Sequence, residues 1–351
     1  MSDAMTAWGR RSLVSSKEKV VRVGIIGFGK MGHIRYEAIG GSGQGQVVAV
    51  ADPRAHVTLP GVRCTLSAQE LLADKGVDAV FICTPNHLNQ SLTIAALRAG
   101  KHVFCEKPPA FCARDVEEVM AVERAVGNRK LMYGFNHRHH GSVRKAKELI
   151  DSGVYGRILW MRGRYGKSVD ESFYSDWRSK KQLAGGGILM DQGIHMLDLF
   201  LMLAGDFEEV LAVVSNLYWK LDVEDNVFAI YRNKGGLVAS LHSTMTQWRH
   251  LFSFEIFLEK GYIVINGLLT ASGTYGEEVM TLAKNRTTAP AASWNDEEHF
   301  RFDTNTSWRS EADHFFHAVA RDEPITIGNS DEALKLMRLI DKTYAANGGL
   351  R

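Results

Sequence analysis

Short runs of apolar residues alternate with longer amphipathic stretches from residue 21 to residue 135. Each short run is apolar almost throughout, which is typical of a strand that is covered on both faces of a parallel sheet. The amphipathic stretches between the runs favour helices with one buried face. This alternation predicts βαβ units in a doubly wound sheet. The predicted strands are 21–26, 47–51, 79–83, 102–105 and 131–135, and the predicted helices are 31–39, 68–73, 89–99 and 113–125.

After residue 135 the pattern changes to longer runs with strand character. Glycine-containing turns at residues 234–236 and 260–261 separate several of these runs, which favours a mostly antiparallel sheet. The predicted strands are 157–165, 210–219, 227–231, 237–243, 252–258 and 262–266, and the predicted helices are 143–150, 187–203, 308–320 and 330–346. The change of pattern predicts two domains, at residues 21–136 and 137–351, after a flexible tail at residues 1–20. We expect the closing helix to pack back on the first domain.

The 351 residues are enough for two domains with cores of their own. A net charge of +2 gives no electrostatic reason to expect a nucleic acid or a membrane surface as partner. The four cysteines form no C-x-x-C pair, which disfavours a disulfide framework and a zinc finger. The best candidate for a membrane span, residues 81–97, is interrupted by polar residues and a proline. We therefore expect a cytoplasmic protein that crosses no membrane.

A G-x-G-x-x-G pattern formed by Gly27, Gly29 and Gly32 follows the first predicted strand directly and opens the first helix. Such glycines allow a tight turn, close approach of backbone to a pyrophosphate and close helix packing. Asp52 lies 20 residues after Gly32, where an acidic residue holds the adenosine ribose. Because Asp52 repels a 2′-phosphate, the pattern favours NAD over NADP, although Arg54 is able to accept that phosphate. The alternative is a glycine-rich turn that binds nothing.

Three further motifs occur in order after this loop. They are T-P-N-H at residues 84–87, E-K-P at residues 106–108 and G-G-G-I-L-M-D-Q-G-I-H-M-L-D at residues 185–198. Together with the glycine loop they resemble the glucose-fructose oxidoreductase/inositol dehydrogenase (Gfo/Idh/MocA) family, from about residue 21 to residue 200. The resemblance implies an α/β chain with an N-terminal Rossmann domain and a C-terminal α+β domain that carries a large, mostly antiparallel open sheet. It also implies NAD(P)-dependent oxidation or reduction at a carbinol carbon of a sugar or cyclitol.

The resemblance assigns residues as well. It implies a catalytic set of Lys107, Asp191 and His195. The implied cofactor-binding set is Gly27, Phe28, Gly29, Lys30, Met31, Gly32, Asp52, Arg54, Thr84, Pro85, Asn86, His87, Glu106 and Lys107. The expected substrate contacts are Asn136, His137 and Arg138 after the fifth strand, with Trp177 and Arg178 as an aromatic wall and a charge. The chain departs from the family pattern at Asn89, often a histidine, and at Pro109, often a larger apolar residue, and these departures bear on substrate specificity.

The chemistry of a hydride transfer explains why these residue types are suitable. A group must take the hydroxyl proton as the hydride leaves, and His195 is the natural candidate. Asp191 lies four residues before it, on the same face of a helix, where it could orient the imidazole. Lys107 follows a parallel strand at its carboxyl end, where ligands of open sheets bind, and could stabilise an alkoxide or move the proton itself. The sequence leaves the proton between Lys107 and His195 unassigned.

Other interpretations of the same residues exist. A D-x-x-x-H pair can be an ordinary ion pair on a helix. Asp191, His195 and Asp198, or His137, His139 and His140, could be metal ligands. We predict no metal, because nicotinamide redox chemistry needs none and no cysteine or glutamate completes either set.

Residues 130–181 contain twelve Lys and Arg against five Asp and Glu. This excess suggests an anionic substrate, such as a nucleotide sugar, a sugar phosphate or a uronate, and a solvated basic face is an equally good interpretation. We expect a homodimer or homotetramer formed through the C-terminal sheet. The leading functional hypothesis is an NAD-dependent sugar or cyclitol dehydrogenase. The alternative is a non-catalytic NAD(P)-binding regulator, which has no evident need for Lys107, Asp191 and His195 together.

Overall fold

The computed structural model describes residues 20–54, 58–284, 289–290 and 293–347, so nearly all of the predicted tail lies outside the described residues. The strands of the first domain are β1 Val21–Ile26, β2 Gly45–Ala51, β3 Arg63–Thr65, β4 Ala79–Ile82, β5 His102–Glu106 and β6 Leu131–Gly134. Its helices are α1 Lys30–Ser42, α2 Ala68–Ala73, α3 Asn89–Arg98 and α4 Ala113–Val126. The six strands form one parallel sheet in the order β3-β2-β1-β4-β5-β6, as the apolar runs predict.

The second domain begins with α5, Gly141–Asp151, and carries the larger sheet. Its strands are β7 Ile158–Ser168, β8 Glu209–Ser215, β9 Asn226–Arg232, β10 Val238–Thr244, β11 Thr246–Leu258, β12 Gly261–Asn266, β13 Glu278–Lys284 and β14 Glu297–Phe302. Its remaining helices are α6 Lys181–Ala184, α7 Ile194–Ala204, α8 Ser307–Arg321 and α9 Ser330–Ala345. The sheet order is β14-β13-β12-β11-β7-β10-β9-β8. Only the β7–β10 pair is parallel among these described strands, so the predicted fold class is confirmed.

One face of the large sheet is covered by α7, which enters through a π-helical turn at Leu189–Gly193. The whole helical stretch Lys181–Ala204 is long and apolar enough to cross a membrane by length and composition. However, 67% of its most apolar window is buried inside the protein, because it packs between the sheet and α9. This stretch, rather than residues 81–97, is therefore the most apolar helical segment of the described chain, and it is part of the core.

The closing helices connect the two halves of the chain. Phe315 and Phe316 of α8 pack against Phe81 and Phe104 of the parallel sheet, with ring centroids 5.4 to 5.9 Å apart. α9 packs on α4, α7 and β8. Because both helices cover surfaces of the first domain, the carboxyl ends of β4 and β5 are held beside the π-helical turn of the second domain.

Candidate functional site

The glycine loop lies between β1 and α1 and leaves no room for side chains at two of its glycines. Gly27 has a φ of +88°, and a Cβ atom there would lie 2.6 Å from the carbonyl oxygen of Cys83. A Cβ atom at Gly32 would lie 2.4 Å from the carbonyl oxygen of Gly27. The loop therefore needs glycine at both positions to keep its turn and to hold α1 close to the sheet.

Gly29 differs because it faces open space. A Cβ atom there would meet only the Arg54 guanidinium, at 3.9 Å. No side chain caps the N-terminus of α1, so its first N–H groups point outward without partners from a capping residue. An uncapped helix start beside an open glycine is a suitable place for an anion. The loop therefore fits the pyrophosphate of a dinucleotide.

Replacing Gly29 with alanine should weaken NAD binding by about 10- to 100-fold, because the added methyl group occupies the space that the pyrophosphate would take. The melting temperature should stay within about 2 °C of wild type, since the methyl group meets no close neighbour. Isothermal titration with NAD measures the first effect and calorimetry the second. Gly40→Ala, at a helical glycine with open surroundings, is the matched control. Equal affinities of wild type and Gly29→Ala would contradict the assigned loop.

Asp52 lies at the end of β2, directly below the loop. Its Oδ2 atom accepts a hydrogen bond from the Phe28 N–H at 2.7 Å, and its Oδ1 atom accepts one from the Arg54 N–H at 2.9 Å. The Asp52 side chain is 4% exposed, whereas the Arg54 side chain is 77% exposed. Asp52 thus fixes the loop. The Arg54 Nε atom lies 3.6 Å from the same carboxylate, and its exposed guanidinium lies beside Gly29. Lys30 is exposed and Met31 is half-buried at the start of α1.

Lys107, which follows β5, lies against Asp191 of the π-helical turn. Its Nζ atom donates to the main-chain oxygen of Asp191 at 2.6 Å and lies 3.3 Å from Oδ1. Lys167, near the end of β7, donates to Oδ2 of the same carboxylate at 3.1 Å. The Nε atom of Arg178 lies 3.9 Å from Oδ1. Among the described residues, three cations from three separate segments therefore surround one carboxylate.

This charge arrangement sets the protonation of the group. Burial alone would raise the pKa of Asp191, but Lys167, Lys107 and Arg178 together hold the pKa well below its ordinary value. Burial lowers the pKa of Lys107 from its ordinary value, and the Asp191 carboxylate opposes that shift. Asp191 is therefore ionised, and its charge keeps the Lys107 ammonium in place.

His195 lies one helical turn after Asp191 and is buried. Its Nδ1 atom has no hydrogen-bond partner within the described ranges. Burial, followed by the charge of Lys107, holds the pKa of His195 well below its ordinary value. The imidazole is therefore neutral at neutral pH and able to accept a proton. His137 stacks on it, with ring centroids 3.8 Å apart.

The T-P-N-H segment connects the two domains beside this cluster. Asn86 donates to the carbonyl oxygen of Ala184 at 2.8 Å. The Thr84 hydroxyl donates to Asn89 Oδ1 at 3.1 Å, and the Asn89 amide donates to the carbonyl oxygens of Glu106 and Pro108. Asn89, where the chain departs from the family pattern, thus joins this segment to the E-K-P segment. Pro85 is half-buried and His87 is exposed.

Two predicted site residues are directed elsewhere. Glu106, expected at the cofactor, forms an ion pair with the buried Arg35 at 2.6 Å. Arg138, expected at the substrate, is buried, with its guanidinium held by Asp198 and Glu332 at 2.6 to 2.8 Å. The charges of Glu106 and Arg138 are thus paired within the protein. Because Asp198 is paired with Arg138 and not with Asp191 or His195, its role is structural.

The basic segment does not form one surface. Some of its cations pair with acids from other parts of the chain, such as Arg157 with Glu259 and Arg162 with Glu255, and others pair inside the segment, such as Lys147 with Asp151. Lys167 and Arg178 are the members of the segment with a described contact to Asp191. Trp177 is half-buried, and the Arg178 guanidinium lies 4.3 Å from the centre of its ring. The charge count over residues 130–181 therefore overstates the positive charge beside the site.

A small pocket opens beside Asp191. Its lining residues are Asn86, Phe173, Arg178, Ala184, Gly186, Gly187, Asp191 and Met245. Lys167, Phe173 and Met245 were not predicted as site residues, because they lie outside the four motifs. Glu224 was not predicted either. Its carboxylate accepts hydrogen bonds from the N–H groups of Gly187 and Leu189 at 2.8 and 3.0 Å and so holds the glycine run in place.

Comparison with known proteins agrees with this geometry. Residues 21–135 match the family model described as the oxidoreductase family with an NAD-binding Rossmann fold, and residues 143–264 match the GFO/IDH/MocA C-terminal domain. The chain belongs to the Gfo/Idh/MocA family. Its first domain is thus an NAD-binding Rossmann domain, and the resemblance inferred from the four motifs is confirmed.

Named relatives of this family member act on sugars and cyclitols. The levoglucosan dehydrogenase of Pseudarthrobacter phenanthrenivorans is 34% identical over 56% of this chain and 57% of its own length. The 1,5-anhydro-D-fructose reductase of Ensifer adhaerens is 32% identical over 62% of this chain and 65% of its own length. The myo-inositol 2-dehydrogenase of Thermotoga maritima is 28% identical over 69% and 74%. The matched stretches thus span about three fifths of the first two relatives.

Solved structures share the fold over nearly the whole chain. A levoglucosan dehydrogenase in complex with NADH superimposes with a TM-score of 0.82 at 24% identity, covering 94% of this chain and 97% of that one. A mutant 3-ketoreductase from Actinomadura kijaniata, in complex with TDP-benzene and NADP, gives a TM-score of 0.80 at 25% identity over 94% and 98%. Both nicotinamide cofactors therefore occur among proteins of this fold.

Proposed function

We propose that the protein is an NAD-dependent oxidoreductase that transfers a hydride between the nicotinamide and a carbinol carbon of a sugar or cyclitol. The observation that carries the proposal is the meeting of Lys107, ionised Asp191 and a neutral, buried His195 at the carboxyl end of β5. Ligands of open α/β sheets bind at this edge. A nicotinamide held by the glycine loop would supply the hydride acceptor there.

His195 is the proton acceptor in this proposal. Its lowered pKa leaves the imidazole neutral, so it can take the hydroxyl proton as the carbon–hydrogen bond breaks. Lys107 remains an ammonium, since Asp191 supplies the counter-charge at 3.3 Å. Its remaining N–H donors can stabilise the developing negative charge on the substrate oxygen. Of the two candidates that the sequence leaves open, the proposal thus assigns the proton to His195.

Lys167 and Arg178 keep the carboxylate oriented. Lys167 holds Oδ2, and Arg178 approaches Oδ1 from the other side. Fixing both oxygens of Asp191 keeps the Lys107 ammonium in one position beside the carboxylate, and this kind of preorganisation lowers the reorganisation that the reaction needs.

The substrate is a single hydroxyl-rich ring that carries no charge. The Lys167 and Arg178 charges are already satisfied by Asp191 and Asp176. The named relatives act on levoglucosan, anhydrofructose and inositol, which supports a neutral ring over the anionic substrate suggested by the charge count.

A turnover assay tests the proposal and its alternatives together. Nicotinamide absorbance is followed with NAD and with NADP, on neutral sugars and cyclitols, sugar phosphates, uronates and nucleotide sugars, at low and high salt. We expect turnover of a neutral ring with NAD, at a KM that does not change with ionic strength. A salt-dependent KM on a phosphate or uronate would restore the anionic substrate. NAD binding without any turnover would favour the non-catalytic regulator.

The pH profile of kcat/KM for oxidation should be bell-shaped. Its acid limb should lie below the ordinary histidine pKa, and its basic limb should lie below the ordinary lysine pKa. Activity needs neutral His195, so it is lost as pH falls through the lowered His195 pKa, below about 6.5. It also needs the Lys107 ammonium, so it is lost as pH rises through the lowered Lys107 pKa, below about 10.4. Steady-state kinetics from about pH 4 to about pH 11 covers both limbs of the profile. An acid limb above the ordinary histidine pKa would contradict the role of His195.

We also propose that two copies of the chain pair through the open face of the large sheet, in the cytoplasm. Leu211 and Val213 of β8 and Phe228 and Ile230 of β9 are 39% to 55% exposed on this face. Contiguous apolar patches of this kind mark interaction surfaces. Light scattering should give a dimer or tetramer for wild type, and Phe228→Glu with Ile230→Glu should lower the oligomeric state. A wild-type monomer at micromolar concentration would contradict the pairing.

A further inference from the structure

His137 was expected to contact substrate, but its imidazole is buried and its nitrogens have partners. The Nδ1 atom lies 3.1 Å from Asn136 Oδ1, and the Nε2 atom lies 2.8 Å from the Tyr165 hydroxyl. A residue whose polar atoms are both engaged has little capacity left to bind a sugar. Its ring face, however, lies against His195.

The two rings are nearly parallel. Their centroids are 3.8 Å apart and their planes differ by 23°, which is closer than the 5.6 Å between His137 and His140. His195 has no described hydrogen bond at its buried Nδ1 atom. A hydrogen bond at that nitrogen would ordinarily fix the orientation of a catalytic imidazole. The stacked ring of His137 can therefore fix the orientation of the His195 imidazole in place of a hydrogen bond.

The hydrogen bonds of His137 define its tautomer. The amide oxygen of Asn136 can only accept, so the proton of His137 is on Nδ1, and Nε2 accepts from the Tyr165 hydroxyl. Burial raises the pKa of Tyr165 well above its ordinary value, so that hydroxyl keeps its proton. Burial and the neighbouring His195 lower the pKa of His137. His137 is thus a neutral ring held at both ends.

We infer that His137 is a positioning residue that holds the ring of His195 in its reactive orientation by stacking, with Asn136 and Tyr165 fixing His137 in turn. This inference rests on the role of His195 in the proposed function. The other charged or titratable groups that act on His195 are Lys107 after β5, Asp191 in the π-helical turn and His140 before α5.

The test compares variants that remove the ring with variants that keep it. His137→Ala removes the stack, and His137→Phe keeps a flat ring without the hydrogen bonds. In His137→Ala, water reaches the face of His195, so its pKa should rise toward the ordinary value of about 6.5. The acid limb of the pH profile should move up with it, and kcat should fall by at least about 10-fold with little change in KM. His137→Phe should recover most of both changes.

NMR titration of labelled histidine in the whole protein gives the pKa of His195 without any substrate, with the resonance assigned from His195→Ala. This titration distinguishes failure of the stacking inference from failure of the proposed function. It tests the stack even if no substrate turns over. If turnover occurs, an unchanged pKa of His195 contradicts the stacking inference alone. His102→Phe is the control, since His102 is a half-buried histidine with a lowered pKa at the opposite end of β5, and it should leave His195 unchanged.

A His195 that titrates identically in wild type and folded His137→Ala, with an unmoved acid limb, would overturn the inference. If His137→Ala does not fold, Tyr165→Phe supplies the answer, because it removes the hydroxyl that holds His137 and keeps the ring of Tyr165. We then expect a smaller rise in the pKa of His195 and a kcat lowered by about threefold. No change in either quantity would equally overturn the inference.

Discussion

Replacing Lys107 with methionine should lower kcat by about 100- to 1,000-fold, the usual effect of losing one donor to a developing oxyanion. Methionine keeps most of the side-chain volume but removes the ammonium that Asp191 holds at 3.3 Å. Asp191 should stay ionised, because Lys167 and Arg178 still face it. NAD affinity should change by less than about threefold, since the glycine loop supplies the pyrophosphate site. Steady-state kinetics and titration calorimetry measure the two effects.

The matched control for Lys107 is Lys284→Met, which removes an ammonium from the surface ion pair with Glu298. Its kcat should equal that of wild type. If Lys107→Met lost NAD affinity in proportion to its activity, Lys107 would be a cofactor contact and not the stabiliser of substrate charge. If its kcat were unchanged, the assigned site would be wrong.

Replacing Arg35 with methionine should destabilise the protein by about 3–5 kcal/mol, as expected when one partner of a buried ion cluster is removed. The Arg35 side chain is 0% exposed and contacts Glu106 at 2.6 Å and Glu311 at 2.7 Å. Its guanidinium also lies over the Phe104 ring, 4.3 Å from the centroid. Without it, two carboxylates remain buried with no counter-charge between them. Urea unfolding at pH 8 measures the loss.

The free energy of unfolding that Arg35→Met loses should depend on pH. Burial raises the pKa of Glu311 to about 7, above its unfolded value. Stability linked to such a carboxyl is present below the unfolded pKa and is lost as pH rises through the folded pKa. The cost of Arg35→Met should therefore shrink between pH 8 and pH 5, and adding Glu311→Gln should recover part of it at pH 8.

The control for Arg35 is Arg22→Met, which breaks the ion pair between Arg22 and Asp78. The Arg22 side chain is 42% exposed, so its loss should cost much less stability than the loss of Arg35. Equal losses for Arg35→Met and Arg22→Met would show that the buried cluster contributes no more than a surface pair.

The five strands predicted in the parallel sheet differ in burial from β3 and β14, two of the strands that were not predicted. Strands β1, β2, β4, β5 and β6 are covered on both faces, so each is a continuous apolar run. Strand β3 has three residues at an exposed edge, and β14 has the sequence EEHFRF, also at an edge. Edge strands carry charged residues and lack an apolar pattern. Residues 40–42 lie beyond the predicted end of the first helix at residue 39, but they extend α1 despite two glycines.

The site residues likewise include some that the sequence predicts and some that only the tertiary structure brings together. Motif residues such as Lys107, Asp191 and His195 are recognised from sequence because the chemistry restricts their type and spacing. The ion-pair partner of a charged residue cannot be predicted from the sequence. Arg138, for example, contacts Asp198 only after α7 packs on the turn after β6. The position of Lys167 beside Asp191 likewise depends on how β7 lies in the sheet. Assignment of His137 to substrate was reasonable from its place after β6, but its burial and stacking follow from the tertiary structure.

The most direct test of the hydride transfer uses substrates that carry deuterium on their carbinol carbons, namely levoglucosan and myo-inositol, with NAD as acceptor. Mass spectrometry of the nicotinamide then reports whether deuterium moves from the substrate carbon to the cofactor. The account predicts deuterated nicotinamide from wild type with at least one of these rings, and a rate of labelling at least about 100-fold lower from Lys107→Met. Wild-type protein that binds NAD and labels none of it, or equal labelling by wild type and Lys107→Met, would contradict the account.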